Sequence, residues 1–148
     1  MKENAYAPGS KYVLDSFALL ALLNKEAGGE IVCSILEYGQ GNAGALFLSA
    51  ANLCECLYCV ERAKGNGVMK RVHEHLRALP IAIVPVDEER AVAAARIKAR
   101  HRMSLADACA AALAMEKAAT VVTGDPEFKE VEAIVPVFWL PNKQKVHD

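Results

Sequence analysis

Asp15, Glu55, Asp107 and Asp125 each fall where the chain is otherwise apolar. Asp15 ends the run Tyr12-Val13-Leu14, and Glu55 stands between Leu53-Cys54 and Cys56-Leu57-Tyr58. Asp107 opens the alanine-rich run Ala108 to Met115, and Asp125 follows Thr120-Val121-Val122-Thr123-Gly124. A carboxylate in apolar surroundings is costly unless it is paired, hydrogen-bonded or bound to a cation. Four of them along a chain of 148 residues point to one shared site for a hard metal ion. All-carboxylate ligation selects Mg2+ or Mn2+ and disfavours zinc or copper. Magnesium keeps several waters and binds through a few carboxylates together with substrate phosphate, so such a site serves phosphoryl transfer. Neither G-x-x-x-x-G-K-[ST] nor G-x-G-x-x-G occurs, which makes nucleoside triphosphates poor substrates and favours hydrolysis of a phosphodiester.

The elements that must bring these groups together alternate between short extended runs and longer helical ones. Tyr12–Leu14, Leu46–Ser49, Ile81–Pro85, Thr120–Thr123 and Val137–Leu140 are short, apolar and rich in β-branched or aromatic residues, as strands buried on both faces are. Helical patterns lie near 16–25, 30–39, 50–64, 67–79, 88–101 and 105–118, with Gly65-Asn66-Gly67 as a break between two of them. Strands alternating with helices predict an α/β sandwich with a mostly parallel sheet. In such a sheet ligands bind beyond the carboxyl ends of the strands, near the point where strand order reverses. Asp15 and Asp125 each follow a strand, Glu55 lies in the helix after another, and Asp107 starts the helix leading into the Thr120 strand.

Each acid also has an ordinary explanation. Asp15 fits an N-cap for the helix at Ser16, Ser104-Leu105-Ala106-Asp107 has capping spacing, and Asp125-Pro126 reads as a cap followed by proline in the first helical position. Glu55 could face water on the stripe Asn52, Glu55, Cys59 and Arg62. Caps and a site are compatible, because a carboxylate can hold a helix N-terminus and still face a pocket.

Composition bounds the rest. At 53% hydrophobic and 24% charged residues the chain is globular, and 148 residues are read as a single domain, core about 12–141, with a polar tail from Asn142 to Asp148. No apolar run reaches the about 18 residues that cross a bilayer, and Met1 to Ser10 has no apolar core of a secretory signal, so a cytoplasmic location is expected. Cys33, Cys54, Cys56, Cys59 and Cys109 are odd in number and lie in helical stretches, against a disulfide framework. Cys54 and Cys56 point to nearly opposite sides of one helix, against zinc, so the cysteines read as small buried apolar residues. The histidines read as surface residues.

The net charge of −1 argues against binding nucleic acid by bulk electrostatics, although a carboxylate cluster subtracts charge from an otherwise basic face. Arg96-Ile97-Lys98-Ala99-Arg100-His101-Arg102 immediately precedes Ser104 and Asp107. It is either a solvated helix face or an edge whose Arg96, Lys98, Arg100 and Arg102 contact phosphates. Lys64, Lys70 and Arg71 form a second, weaker candidate.

With these residues on the page the chain resembles a PIN-domain ribonuclease, most of all the VapC-type toxins of toxin–antitoxin pairs, from about Tyr12 to Pro141. Val13-Leu14-Asp15-Ser16 matches the family's first strand and first aspartate, and Ser49 to Tyr58, with Glu55, its second motif. Leu105-Ala106-Asp107-Ala108 matches the third, and Thr123-Gly124-Asp125-Pro126-Glu127-Phe128 the fourth. The motifs are short, but all four occur in order at family-like spacing.

The resemblance implies a PIN-like three-layer sandwich, with a parallel five-stranded sheet flanked by helices. It implies Mg2+ or Mn2+ at the carboxylates, endonucleolytic cleavage of RNA (transfer RNA being a common target), a homodimer, and inhibition by a small antitoxin. Carried over by position, Asp15 and Asp107 are the main metal ligands, Asp125 completes the cluster, and Glu55 orients metal or water. Ser16 and Thr123 are hydrogen-bonders that hold the carboxylates. Gly124 departs from the asparagine that many relatives carry, so that side chain's hydrogen bond is missing.

Two other readings compete. A phosphatase of the HAD type needs a second aspartate two residues after the first, where Asp15-Ser16-Phe17 offers phenylalanine. A PIN-like domain that binds RNA or a partner in RNA processing without cutting is the other.

Overall fold

A computed structural model describes residues 7–142. The polar tail expected beyond Asn142, and most of the N-terminal segment Met1 to Ser10, lie outside the described residues. The strands are β1 (Tyr12–Leu14), β2 (Leu46–Ser49), β3 (Ala82–Val84), β4 (Thr120–Thr123) and β5 (Val137–Trp139). The helices are α1 (Ser16–Leu23), α2 (Gly29–Gln40), α3 (Ala50–Lys64), α4 (Asn66–Arg77), α5 (Glu88–Arg100) and α6 (Leu105–Lys117), and a 3-10 helix covers Pro126–Val131. Every strand pairing is parallel, in the order β3-β2-β1-β4-β5. The fold is an α/β three-layer sandwich of the expected kind.

Alternation along the strands explains the layers. Val13, Phe47 and Val121 pack to one face with Ala94 and Ile97 of α5, the alanines of α6, and Phe128 and Val131. Tyr12, Leu14, Leu46, Leu48 and Val122 pack to the other with α1, α2, α3 and α4. Covering both faces is what permits strands with hardly a polar residue. The edge strands β3 and β5 are only partly buried and end short of the expected Pro85 and Leu140. Pro85 has no N–H to offer a ladder, while the Leu140 amide still donates to the Thr123 carbonyl at 2.8 Å.

One expectation fails at the cysteines. Cys56 and Cys109 are buried, but Cys33 and Cys54 are exposed and Cys59 is intermediate. Helices α2 and α3 each bury one face only, and these residues fall off it. Asn52, placed by its sequence spacing on a water-facing stripe with Glu55, is instead fully buried, one helical turn before Cys56.

Candidate metal centre

Strand order reverses between β1 and β4, whose next neighbours β2 and β5 continue in opposite directions. The crevice beyond the carboxyl ends of those two strands is where a parallel sheet presents a site. Asp15 follows β1 at once and Asp125 follows β4 after Gly124, so both stand at this crevice.

Each carboxylate is fixed by local structure. Asp15 caps α1, its Oδ1 accepting from the Ala18 amide at 2.9 Å. Ser104 caps α6, its Oγ accepting from the Asp107 amide at 3.2 Å, which sets Asp107 in the first turn. Asp125 caps the 3-10 helix through the Glu127 amide at 2.9 Å, and the Thr123 hydroxyl accepts from the Asp125 amide at 2.9 Å. Ser16 donates to Glu55 at 2.5 Å, tying α1 to α3 across the mouth of the crevice. The ordinary capping explanations are therefore correct as local structure, with Ser16 bonded to Glu55 and Thr123 to the Asp125 amide.

Among the described residues Asp107, Asp125 and Glu127 form a group whose potential ligand atoms all lie within 4.8 Å of one another. Glu127 is the member that sequence reasoning did not single out. It follows Asp125, the extended N-cap of the 3-10 helix, by two residues, and it reaches the site because that helix packs against the start of α6. Glu127 Oε1 accepts from the Ser104 amide at 2.9 Å, so it also links the 3-10 helix to the start of α6.

The electrostatics are those of an anionic pit. Asp15 is 1% exposed, and burial pushes its carboxyl from the usual 3.8 up to about 7. The Thr123 hydroxyl and Ala18 amide act in the opposite direction, while Asp125 and Glu55 repel its charge. Burial likewise raises Asp107, helped by a hydrogen bond with Glu127 and by repulsion from Asp15, Asp125 and Glu127. Glu127 is held below its usual range by that bond to Asp107, by the Ser104 amide and by the nearby Lys98 charge. The two partners are thus shifted in opposite directions, the protonated form being favoured on Asp107 and the charged form on Glu127. Asp15 Oδ2 is buried with no hydrogen-bond partner. Crowded acids, two of which (Asp15 and Asp107) are disfavoured in their charged form and one of which has an orphaned oxygen, fit a hard divalent cation that would compensate the charge.

The sequence matches the PIN-domain family over residues 12–134. The chain belongs to the PIN-domain family. No curated protein matches its sequence significantly. The fold of this PIN domain is similar to a chain of VapBC2 from Rickettsia felis, whose complex is bound to a DNA fragment from its promoter, with TM-score 0.68, 16% identity, and 88% of this chain and 98% of that one covered. It is similar to a chain of FitAcB from Neisseria gonorrhoeae, with TM-score 0.64, 25% identity, and coverage of 86% and 96%. It is also similar to VapC20 of Mycobacterium tuberculosis, a sarcin-ricin-loop-cleaving toxin, with TM-score 0.65, 17% identity, and coverage of 80% and 93%.

The departure at Gly124 has a steric cause in this PIN domain. A Cβ there would run into the Phe17 ring and come within 3.1 Å of the Leu140 carbonyl oxygen. The basic run Arg96, Lys98, Arg100 and Arg102 is exposed. Lys98 donates to the Met103 carbonyl at 3.0 Å and Arg100 to the Arg96 carbonyl at 2.9 Å. Of this run, the Lys98 charge is near enough to help hold Glu127 below its usual range. Lys64, Lys70 and Arg71 are exposed around the junction of α3 and α4.

Proposed function

We propose that this PIN domain is a divalent-cation-dependent endoribonuclease that hydrolyses RNA phosphodiester bonds, and that it is the toxin of a type II toxin–antitoxin pair. The observation that carries the reading is the group Asp107, Asp125 and Glu127 gathered beside the buried Asp15 at the switch point of a PIN-domain sheet. Asp15, Asp107 and Asp125, with Glu127, hold the cation, Mg2+ or Mn2+. When bound, it supplies Lewis-acid polarisation of the phosphodiester and a nucleophile at neutral pH. Glu55, steadied by Ser16, orients water or cation from the α3 side. Thr123 fixes the approach of the Asp125 loop. Arg96, Lys98, Arg100 and Arg102 contact backbone phosphates and draw the polyanion toward the acids.

Two surfaces suit the partners. A groove of about 270 Å³ between α1, α3 and α4, lined by Leu20, Leu23, Cys59, Val60, Val68 and Val72, offers an apolar seat for a segment of the antitoxin. Val92, Leu105 and Met115 are 53%, 63% and 52% exposed on α5 and α6, and we assign that apolar surface to a homodimer contact. An RNA substrate places the action in the cytoplasm.

The test is cleavage of pooled RNA by the purified protein with Mg2+ or Mn2+, with EDTA and the Asp107→Asn variant as controls. Fragments that require both the cation and Asp107 are expected. RNA left intact but retained by the protein would favour the second reading, a PIN-like domain that binds RNA or a partner without cutting.

A further inference from the structure

Asn52 is the one residue among the described residues whose buried side chain has both polar atoms, Oδ1 and Nδ2, without a hydrogen-bond partner. A buried amide left unsatisfied at both ends destabilises the fold, and apolar neighbours would suit a leucine, which branches in the same way, better. The only other buried side-chain atom in this condition, among the described residues, is Oδ2 of Asp15. One is an acceptor without a donor; the other brings a donor and an acceptor.

The fold sets the two at the same edge. β1 and β2 are parallel neighbours with Leu14 opposite Leu48, so Asp15 and Ser49 are level at the carboxyl end of the sheet. Ser49 caps α3, and Asn52 lies in that helix's first turn, three residues before Glu55. At about 100° per residue, Asn52 points between the directions of Ala51 and Cys56. Ala51 packs on the core layer that holds α6, and Cys56 on the layer that holds Leu14 and α1. Asn52 is therefore directed at the seam over the sheet edge, between the helices that start at Asp15 and near Asp107. Its neighbour on the wheel, Glu55, is already bonded to Ser16, the residue after Asp15.

We propose that Asn52 is a positioning residue of the acidic site, its amide serving as the donor that orients Asp15 in the ionised, cation-bound form. The inference rests on the acids being a cation site. A buried neutral donor suits this task, because it can hold a carboxylate in one rotamer without the charge that would compete with a cation for it.

Two measurements test it. In the full chain, the side-chain amide resonances of Asn52 are followed by NMR during a Mg2+ titration, alongside the backbone amides of Asp107, Asp125 and Glu127. Shifts of Asn52 in step with the acids are expected. Shifts of the acids with Asn52 unmoved overturn the inference and leave the cation site intact, whereas no shift anywhere overturns both. Separately, Asn52→Leu is expected to keep or raise the melting temperature of the metal-free protein while weakening Mn2+ binding, read by calorimetry, by about tenfold or more. Wild-type Mn2+ affinity in Asn52→Leu would make Asn52 a core residue and nothing more. If Asn52→Leu does not fold, the NMR titration of the unaltered protein decides alone.

Discussion

At the scale of single residues, the acids trade stability for a site. For Asp15, the rise from 3.8 to about 7 means that the folded state keeps a proton which the unfolded chain releases at lower pH. Between those values the native state binds more protons, so stability falls as pH rises through this window and levels off above it. At about 1.4 kcal/mol per pH unit, the cost is on the order of 4 kcal/mol for this one group. Metal-free protein should accordingly melt at a lower temperature at pH 8 than at pH 5, as calorimetric scans across pH would show. Asp15→Asn and Asp107→Asn remove the charge but not the volume. Each should lower RNA cleavage by on the order of a thousandfold, since a bound cation supplies several kcal/mol of transition-state stabilisation. Each should also leave the metal-free protein at least as stable as wild type at pH 8. Full activity in either purified variant would remove that residue from the site.

At the scale of elements, the site depends on three caps and one close contact. Asp15 and Asp125 start α1 and the 3-10 helix and bring their own charge to the crevice, while Ser104 starts α6 and sets the charge of Asp107 in its first turn. Ser104→Ala removes the α6 cap and should cost about 1 kcal/mol in urea unfolding. It should also weaken cation binding, because Asp107 loses the hydroxyl its amide leans on. The loop after β4 passes against α1, with Gly124 under the Phe17 ring. Gly124→Asn should destabilise by about 1–3 kcal/mol through overpacking. Adding Phe17→Ala to it should recover part of that loss, a coupling that a double-mutant cycle would measure. Independent, additive effects would disprove the contact.

At the scale of the whole molecule, cation, pH and salt act on one charge distribution. A cation that binds only the folded state stabilises by mass action. It competes with protons for Asp15 and Asp107, so the increase in melting temperature caused by Mg2+ should be larger at pH 8 than at pH 5. An increase independent of pH would place the ion elsewhere. The chain carries a net charge of −1 with exposed basic residues at 96, 98, 100 and 102, so under the proposed function attraction of RNA is local. Replacing Arg96 and Arg100 by Ala should raise KM several-fold with little change in kcat, and should flatten the salt dependence of cleavage. A fall in kcat alone would assign these arginines to chemistry.

The layered α/β class, the helix starts and the choice of Asp15, Glu55, Asp107 and Asp125 as candidates were legible in the chain, because all of these are written in local signals. Short continuous apolar runs and period-3.6 hydrophobicity mark the elements, and a cap or an isolated carboxylate shows within a few residues. Only the tertiary structure decided which acids meet. Glu127 joins Asp107 and Asp125 because a 3-10 turn after β4 packs beside the first turn of α6, and nothing local to Glu127 encodes that. The burial of Asn52 was likewise invisible, since which side of α3 is inside depends on how it crosses the sheet edge between two core layers. Strand order, and with it the switch point that turns scattered carboxylates into one pit, comes from pairings between strands far apart in the chain.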